Sequence, residues 1–173
     1  VGGMQNLMWG LTNELSKNFM LKVFADYCEN YKNFDEQVSY SIERVGGIKL
    51  LRKYRKAQLV NEFIKENKVE GIIADHWKSL ELIKTSKRKI CLIHSKEINH
   101  EKRTNLNNRV LSVLNNVDIV VANSEYTKSL AIKTGVDENR IIVINPGVSP
   151  VQELNKKSID KVESLLKHKT PRL

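Results

Sequence analysis

The order of the predicted elements constrains the fold of this chain most strongly, because short apolar segments alternate with segments of helical periodicity. Strands are predicted at residues 21–25, 38–45, 71–74, 89–94, 118–122 and 140–145, and helices at residues 4–18, 49–67, 79–86, 105–116, 125–134 and 158–169. Strands that are joined by helices favour a mostly parallel sheet covered by helices on both faces. The sequence therefore predicts an α/β domain with three layers, α/β/α.

The composition is that of an ordinary globular domain. Of the 173 residues, 40% are hydrophobic and 28% are charged, which is enough apolar material for a self-stabilising core. The only cysteines, Cys28 and Cys91, lack C-x-x-C spacing, so we expect neither a disulfide framework nor a zinc site. No histidine is spaced from another ligand as in a metal site, and we predict no metal and no cofactor. These features favour a reducing, cytoplasmic location.

The net charge of +9 is the first property that bears on binding partners. It is compatible with nucleic acid, with an anionic membrane or with phosphorylated small molecules. Part of the charge forms a stripe on the helix predicted at residues 49–67, where four basic side chains recur at helical spacing: Lys49, Arg52, Lys53 and Lys56. This stripe is either a solvated face or a contact for an anionic membrane surface or a phosphate-bearing acceptor.

Polar residues, together with one glycine, lie at or directly after the ends of four of the predicted strands. They are Asp75 and His76, His94 and Ser95, Asn123 and Ser124, and Asn145 with Gly147. In parallel sheets the carboxyl ends of the strands share one edge, where ligands bind. The pattern predicts a binding site formed by these loops.

A purely structural role is open for several of these residues. Asn and Ser commonly cap the helix that follows, and a Pro-Gly pair commonly forms a turn. His94 has polar neighbours and is a candidate to hydrogen-bond a ligand, whereas His76 could equally be satisfied within the protein. Gly2 and Gly3 precede a helix and could bring backbone N–H groups close to a phosphate, but a plain turn would also explain them.

Five segments together resemble one known family. They are Gly2-Gly3-Met4-Gln5, "IIADHW" (residues 72–77), "CLIHS" (residues 91–95), "DIVVANSEYTKSL" (residues 118–130) and "RIIVINPGV" (residues 140–148). In this order and spacing they resemble the N-terminal, acceptor-side half of a retaining glycosyltransferase of family four (glycosyl transferases group 1), which has the GT-B fold. The resemblance implies a Rossmann-like domain that is one half of a GT-B fold.

The resemblance also implies a reaction and roles for the residues. A sugar would move from a nucleotide diphosphate sugar to a glycan, a lipid-linked acceptor or a small molecule, without a metal ion, as in cell envelope polysaccharide biosynthesis. By analogy His94 would hydrogen-bond the transferring sugar, and Gly2 and Gly3 would approach the donor phosphates. The remaining candidates for donor or acceptor binding are His76, Ser95, Asn123, Ser124, Asn145 and Gly147.

The same resemblance implies a domain organisation. Residues 1–150 are predicted to form the N-terminal domain, whose first strand would precede Gly2, and residues 151–173 a linker and helix that lead to a donor-binding domain. Two other classes stay open: a nucleotide-sugar epimerase of the same architecture, and a basic nucleic-acid-binding module. The epimerase would need paired carboxylates that we do not find. Nucleic-acid binding is not expected, since aromatic residues are only 6% of the chain.

Overall fold

The computed structural model describes residues 3–147 and 156–166. Six strands lie in this part of the chain: β1 (Lys22–Asp26), β2 (Ser41–Val45), β3 (Gly71–Ala74), β4 (Arg88–Ile93), β5 (Ile119–Ala122) and β6 (Ile141–Val143). The helices are α1 (Gly3–Leu15), α2 (Tyr31–Asp35), α3 (Lys49–Glu66), α4 (Trp77–Leu80), α5 (Asn105–Leu114), α6 (Glu125–Thr134) and α7 (Lys156–Leu166), with a 3₁₀ turn at Glu138–Arg140. The predicted alternation of strands and helices is confirmed.

All described strand pairs are parallel, but the strands form two sheets. One contains β1 and β2, and the other has the order β3-β4-β5-β6. Within the described residues, no strand pairs with the second edge of β1 or of β3. A strand between these two edges would complete a doubly wound sheet. The strand expected before Gly2 would fit this place, and it stays a prediction.

The core lies around the four-stranded sheet. Cys91 and Ile93 from β4 and Val120 from β5 are fully buried, and they pack with Trp77 at the start of α4 and Leu114 at the end of α5. Burial of an aliphatic side chain of this kind contributes about 1.5–3 kcal/mol relative to its exposure. The two-stranded sheet is less buried, since only Val45 of its ten strand residues is buried.

The third predicted helix, at residues 79–86, is wrong in its position. Helix α4 instead begins at Trp77 and ends at Leu80. The reason lies in α3, where the Asn61 side chain donates to the Leu82 carbonyl (3.0 Å) and accepts from the Lys84 backbone N–H (2.9 Å). These bonds take up backbone groups that a longer helix would use itself.

Helix α2 is absent from the elements predicted from the sequence, because a helix of five residues is too short to show periodicity. The side chain of Arg44, on β2, fixes its last residue: the guanidinium donates to both carboxylate oxygens of Asp35, at 3.1 and 2.5 Å. The same guanidinium lies over the Tyr31 and Phe34 rings, with its carbon 5.8 and 5.9 Å from the two centroids. Tertiary contacts therefore stabilise this helix, whereas five residues of local helical propensity would not be sufficient.

Candidate active site at the carboxyl edge of the sheet

The register of the four-stranded sheet brings three of the predicted loops to one level. Ile93, the last residue of β4, pairs with Ala122, the last of β5, and Ala122 pairs with Val143, the last of β6. His94 and Asn123 therefore leave neighbouring strands side by side, and the segment that contains Asn145 leaves the next strand. The prediction that these loops share one edge is confirmed for the described residues.

The backbone of His94 is fixed by a hydrogen bond, whereas one nitrogen of its ring has no hydrogen-bond partner among the described residues. Its backbone N–H donates to the Glu97 carboxylate three residues later. The ring atom Nε2 is buried, yet it has no hydrogen-bond partner among the described residues. A buried polar atom without a partner is costly, at about 1–3 kcal/mol, and is a recurrent feature of functional sites.

Glu97 organises this loop and is not among the site residues predicted from the sequence. Its backbone carbonyl accepts from the Trp77 indole N–H at 2.9 Å and lies 3.0 Å from Nε2 of His100. Trp77 is fully buried, so the loop after β4 is fastened to the start of α4. The signal in the sequence was a carboxylate three residues after His94, since it can reach back to the His94 backbone N–H.

Ser95 adopts a strained backbone. Its φ angle is 82°, in the left-handed region that residues other than glycine rarely adopt. The Ser95 carbonyl accepts from the backbone N–H groups of Ile98 (3.2 Å) and Asn99 (3.1 Å), which holds the turn. Strain of this kind persists only where the surroundings enforce it, and it clusters at functional sites.

His76 caps helix α4. Its Nδ1 accepts from the Lys78 backbone N–H at 3.0 Å, so this nitrogen carries no proton in the folded protein. Burial is the main cause that lowers the His76 pKa below its ordinary value, opposed by the nearby Glu97 carboxylate. The ring is therefore neutral near pH 7, and its observed contact is structural.

Asn123 and Ser124 have different hydrogen-bonding roles at the end of β5. Ser124 Oγ accepts from the Thr127 backbone N–H at 3.2 Å and caps α6. Asn123 Oδ1 accepts from the Thr127 hydroxyl at 2.6 Å, which fixes the orientation of the amide. The Asn123 amide nitrogen donates to no group in the described parts of the chain, so it is free to bind a ligand.

The glycines and Asn145 are less constrained by their surroundings. Gly2 lies outside the described residues. Gly3 is the first residue of α1, and a Cβ added to it or to Gly147 would meet nothing within 4 Å. Asn145 and Gly147 are exposed beyond β6. Packing against the described residues thus requires glycine at neither position 3 nor position 147.

The basic stripe on α3 is partly paired with carboxylates. Lys56 Nζ lies 2.5 Å and Arg52 Nη1 3.4 Å from the Asp26 carboxylate, at the end of β1. Lys53 Nζ lies 3.8 Å from Glu81, and Lys49 is exposed. Three of the four predicted contact residues therefore lie in ion pairs, two of them with the same Asp26.

Clustered metal ligands and long apolar helices are absent from the described residues. Residues 3–147 and 156–166 contain no cluster of three His, Cys, Asp or Glu side chains arranged to hold a metal ion. None of the helices described there is both long and apolar enough to cross a bilayer.

The fold is similar to that of several solved structures. The chain is similar to crystal structures of Alr3699/HepE from Anabaena in complex with UDP and glucose (TM-score 0.71, 16% identity), with UDP-glucose (0.69, 16%) and with UDP (0.66, 17%). Each match covers 96% of this chain and 47% of the other, so the chain spans about half the length of these structures. The likeness confirms the predicted Rossmann-like α/β fold of a GT-B glycosyltransferase.

Comparison with protein families gives a match over most of the sequence. The model of Glycosyltransferase Family 4 matches residues 1–152. No curated protein matches the chain. Since the matched region includes every described strand and the loops at their carboxyl ends, the predicted resemblance is confirmed, and the chain belongs to glycosyltransferase family 4.

Proposed function

We propose that this chain is the acceptor-side half of an enzyme that transfers a hexose from a nucleotide diphosphate sugar to an acceptor with retention of configuration. The oxygen of an acceptor hydroxyl forms a bond to the anomeric carbon as the bond to the nucleoside diphosphate breaks, and the hydroxyl proton passes to the departing diphosphate. The new bond lies on the same face of the sugar as the old one. The similar HepE structures contain UDP-glucose, UDP or both UDP and glucose, so UDP-glucose is the first donor to test.

The observation that carries the proposal is the pair formed by His94 and Asn123. The two residues leave adjacent strands at the same level, one with a buried and unpartnered ring nitrogen and the other with an unpartnered amide N–H₂. Both groups suit hydroxyl groups of a sugar, because they can form directional hydrogen bonds. Donors fixed before the reaction stabilise developing charge without reorganisation.

The start of α1 is proposed to face the diphosphate of the donor. The first turn of a helix presents backbone N–H groups and a partial positive charge, which favour an anion. Open space around Gly3 lets a phosphate approach these N–H groups, and the packing of the described residues gives no other reason for a glycine. We propose that Gly2 and Gly3 stabilise the leaving diphosphate in this way, with neither a metal ion nor a cofactor.

The remaining candidates are assigned by their positions. Ser95 places the loop beside the sugar through its left-handed backbone, and His76 and Ser124 hold the starts of α4 and α6 next to the site. Asn145 and Gly147 would border the second domain. Lys49 and Lys53, with Arg52 and Lys56 beside them, would attract an anionic acceptor, either a glycan or a lipid-linked one, on the cytoplasmic side of a membrane.

The test uses a polypeptide that contains this chain joined to a donor-binding domain. The protein is supplied with UDP-glucose and other nucleotide sugars and with glycan and lipid-linked acceptors, and the product is analysed by mass spectrometry and NMR. We expect one nucleoside diphosphate released per glycoside formed, with the anomeric configuration of the donor. Conversion of the nucleotide sugar to an epimer without glycoside would contradict the proposal in favour of an epimerase.

A further inference from the structure

One face of α3 changes from apolar to polar along its length. Ile48, directly before the helix, is 69% exposed, and Leu50, Leu51 and Tyr54 in its first two turns are 80%, 54% and 54% exposed. The same side of the helix continues at helical spacing through Gln58, Glu62 and Lys65, which are polar and exposed. We call Ile48, Leu50, Leu51 and Tyr54 the α3 apolar patch.

Cationic side chains border the α3 apolar patch. Lys49 is exposed within it, and Lys53 Nζ lies 4.8 Å from the centroid of the Tyr54 ring. Arg55 donates to the Gly46 carbonyl at 3.3 Å, at the edge of the patch. The first turn of α3 contains no acidic residue. Glu81, the carboxylate near Lys53, is already held by two hydrogen bonds from Arg109, at 2.6 and 2.8 Å.

We propose that the α3 apolar patch, with Lys49, Lys53 and Arg55, docks this domain on the surface of an anionic lipid bilayer. Exposed aliphatic and aromatic side chains beside basic ones are typical of segments that lie at the boundary of headgroups and acyl chains. The apolar face ends after two turns, at Tyr54, which suits shallow insertion of one end of a helix. A groove for a partner helix would need an apolar stripe along more of α3.

Charge argues against a second copy of the chain as the occupant. Two copies that paired through this patch would bring their Lys49, Lys53 and Arg55 side chains face to face. The chain as a whole has a net charge of +9, which also opposes self-association. An anionic bilayer complements the same charges, with about 1 kcal/mol for each Lys or Arg near the surface.

The patch lies close to the site edge of the two-stranded sheet. Helix α3 follows β2 after three residues, and Val45 at the end of β2 pairs with Asp26 at the end of β1. Arg52 and Lys56, on the same helix, reach that Asp26. A bilayer docked here would present a lipid-linked acceptor to the carboxyl edge. This last step rests on the proposed function, whereas the docking itself does not.

The test is flotation of the 173-residue chain with vesicles, without any donor sugar. At low salt the chain is expected to float with vesicles of phosphatidylcholine and phosphatidylglycerol, and to stay behind with pure phosphatidylcholine. The triple variant Leu50→Gln, Leu51→Gln, Tyr54→Gln keeps the net charge, and we expect it to bind the anionic vesicles at least about tenfold more weakly. The matched control Gln58→Ala, Glu62→Ala, Lys65→Ala, on the same side of α3, also keeps the net charge and is expected to bind like the unaltered chain.

Insertion is measured separately with Leu50→Trp. Its emission, after subtraction of the unaltered chain, should be quenched by phospholipids that carry bromine on their acyl chains. Circular dichroism establishes that each variant is folded. The proposal is overturned if the chain ignores anionic vesicles at low salt, or if the triple variant binds as well as the control, which would mean adsorption by charge alone. A concentration-dependent dimer that only the triple variant abolishes, without vesicle binding, would assign the patch to a second copy instead.

Discussion

The backbone N–H of His94 donates a hydrogen bond to the carboxylate of Glu97, three residues further along the chain. The carbonyl of the same Glu97 accepts from the indole of the buried Trp77, which begins α4. Glu97 thereby connects the end of β4 with the end of β3, and it fixes the path of the backbone that presents the His94 ring. Hydrogen bonds to a charged acceptor are among the stronger ones in proteins.

Replacement of Glu97 should destabilise the domain by an amount that depends on what replaces it. We expect Glu97→Ala to lower the free energy of unfolding by about 1–3 kcal/mol, since the His94 N–H loses a charged acceptor. Glu97→Gln keeps an acceptor oxygen and should lose less than half of that amount. Urea denaturation followed by circular dichroism measures both values. Equal losses for the two variants would show that the carboxylate does not hold the His94 backbone.

The capping role of His76 predicts a pH dependence of stability. Burial depresses the His76 pKa in the folded state, so the unfolded chain takes up a proton more readily. The contribution to stability is complete above the unfolded value, about 6.5, and is lost as the pH falls from there toward the lower folded pKa. Thermal denaturation between about pH 7.5 and pH 5.5 should therefore show a falling melting temperature.

His76→Asn is the control for this pH dependence. Asparagine caps a helix without a charge that titrates in this range, so the melting temperature of the variant should fall less between the same two pH values. A decline as steep as that of the unaltered protein would assign the pH dependence to other groups.

The fold could be predicted from the sequence to a large extent because its strands and long helices depend on local patterns. Helix α6 begins at Glu125 and ends at Thr134 as predicted, since Ser124 caps its start and Gly135, with φ 115°, closes its end. Helices α2 and α4 were missed or misplaced because distant side chains define them, Arg44 in one case and Asn61 in the other. Contacts of this kind leave no periodic signal.

Asn61 provides a test of that explanation. Asn61→Ala removes two hydrogen bonds, to the Leu82 carbonyl and from the Lys84 N–H, and should lower the free energy of unfolding by about 1–3 kcal/mol. Gln58→Ala lies on the exposed side of the same helix and should change it by less than about 0.5 kcal/mol. If urea denaturation gives the same small change for both, Asn61 does not determine the end of α4.

The candidate site could be located from the sequence, but the roles of its residues could not. The positions of His94 and Asn123 follow from where the strands end, which local patterns predict. Whether a side chain is free for a ligand depends on its partners in space. Ser124 and His76 each cap a helix, Lys56 and Arg52 pair with Asp26, and Asn123 retains a free amide nitrogen.

The chain by itself is predicted to fold but to transfer no sugar. In the proposed function it supplies one wall of a cleft, and the alignment of the reacting groups by two walls provides much of the rate of such reactions. Calorimetric titration of the 173-residue chain with UDP-glucose should accordingly give only feeble binding, and product analysis should find no glycoside. Glycosyl transfer by the purified chain, with contaminating enzyme excluded, would contradict the proposed division of labour between two domains.

The most direct test of the proposed site is the turnover of the His94→Ala variant, measured in a polypeptide that joins this chain to a donor-binding domain. Because the unpartnered Nε2 is assigned to the transferring sugar, turnover should fall on the order of 10- to 1000-fold, while the melting temperature changes little. His76→Asn serves as the matched control and should keep nearly full turnover. Unchanged turnover of His94→Ala with a lowered melting temperature would contradict the account, because it would make His94 a structural residue.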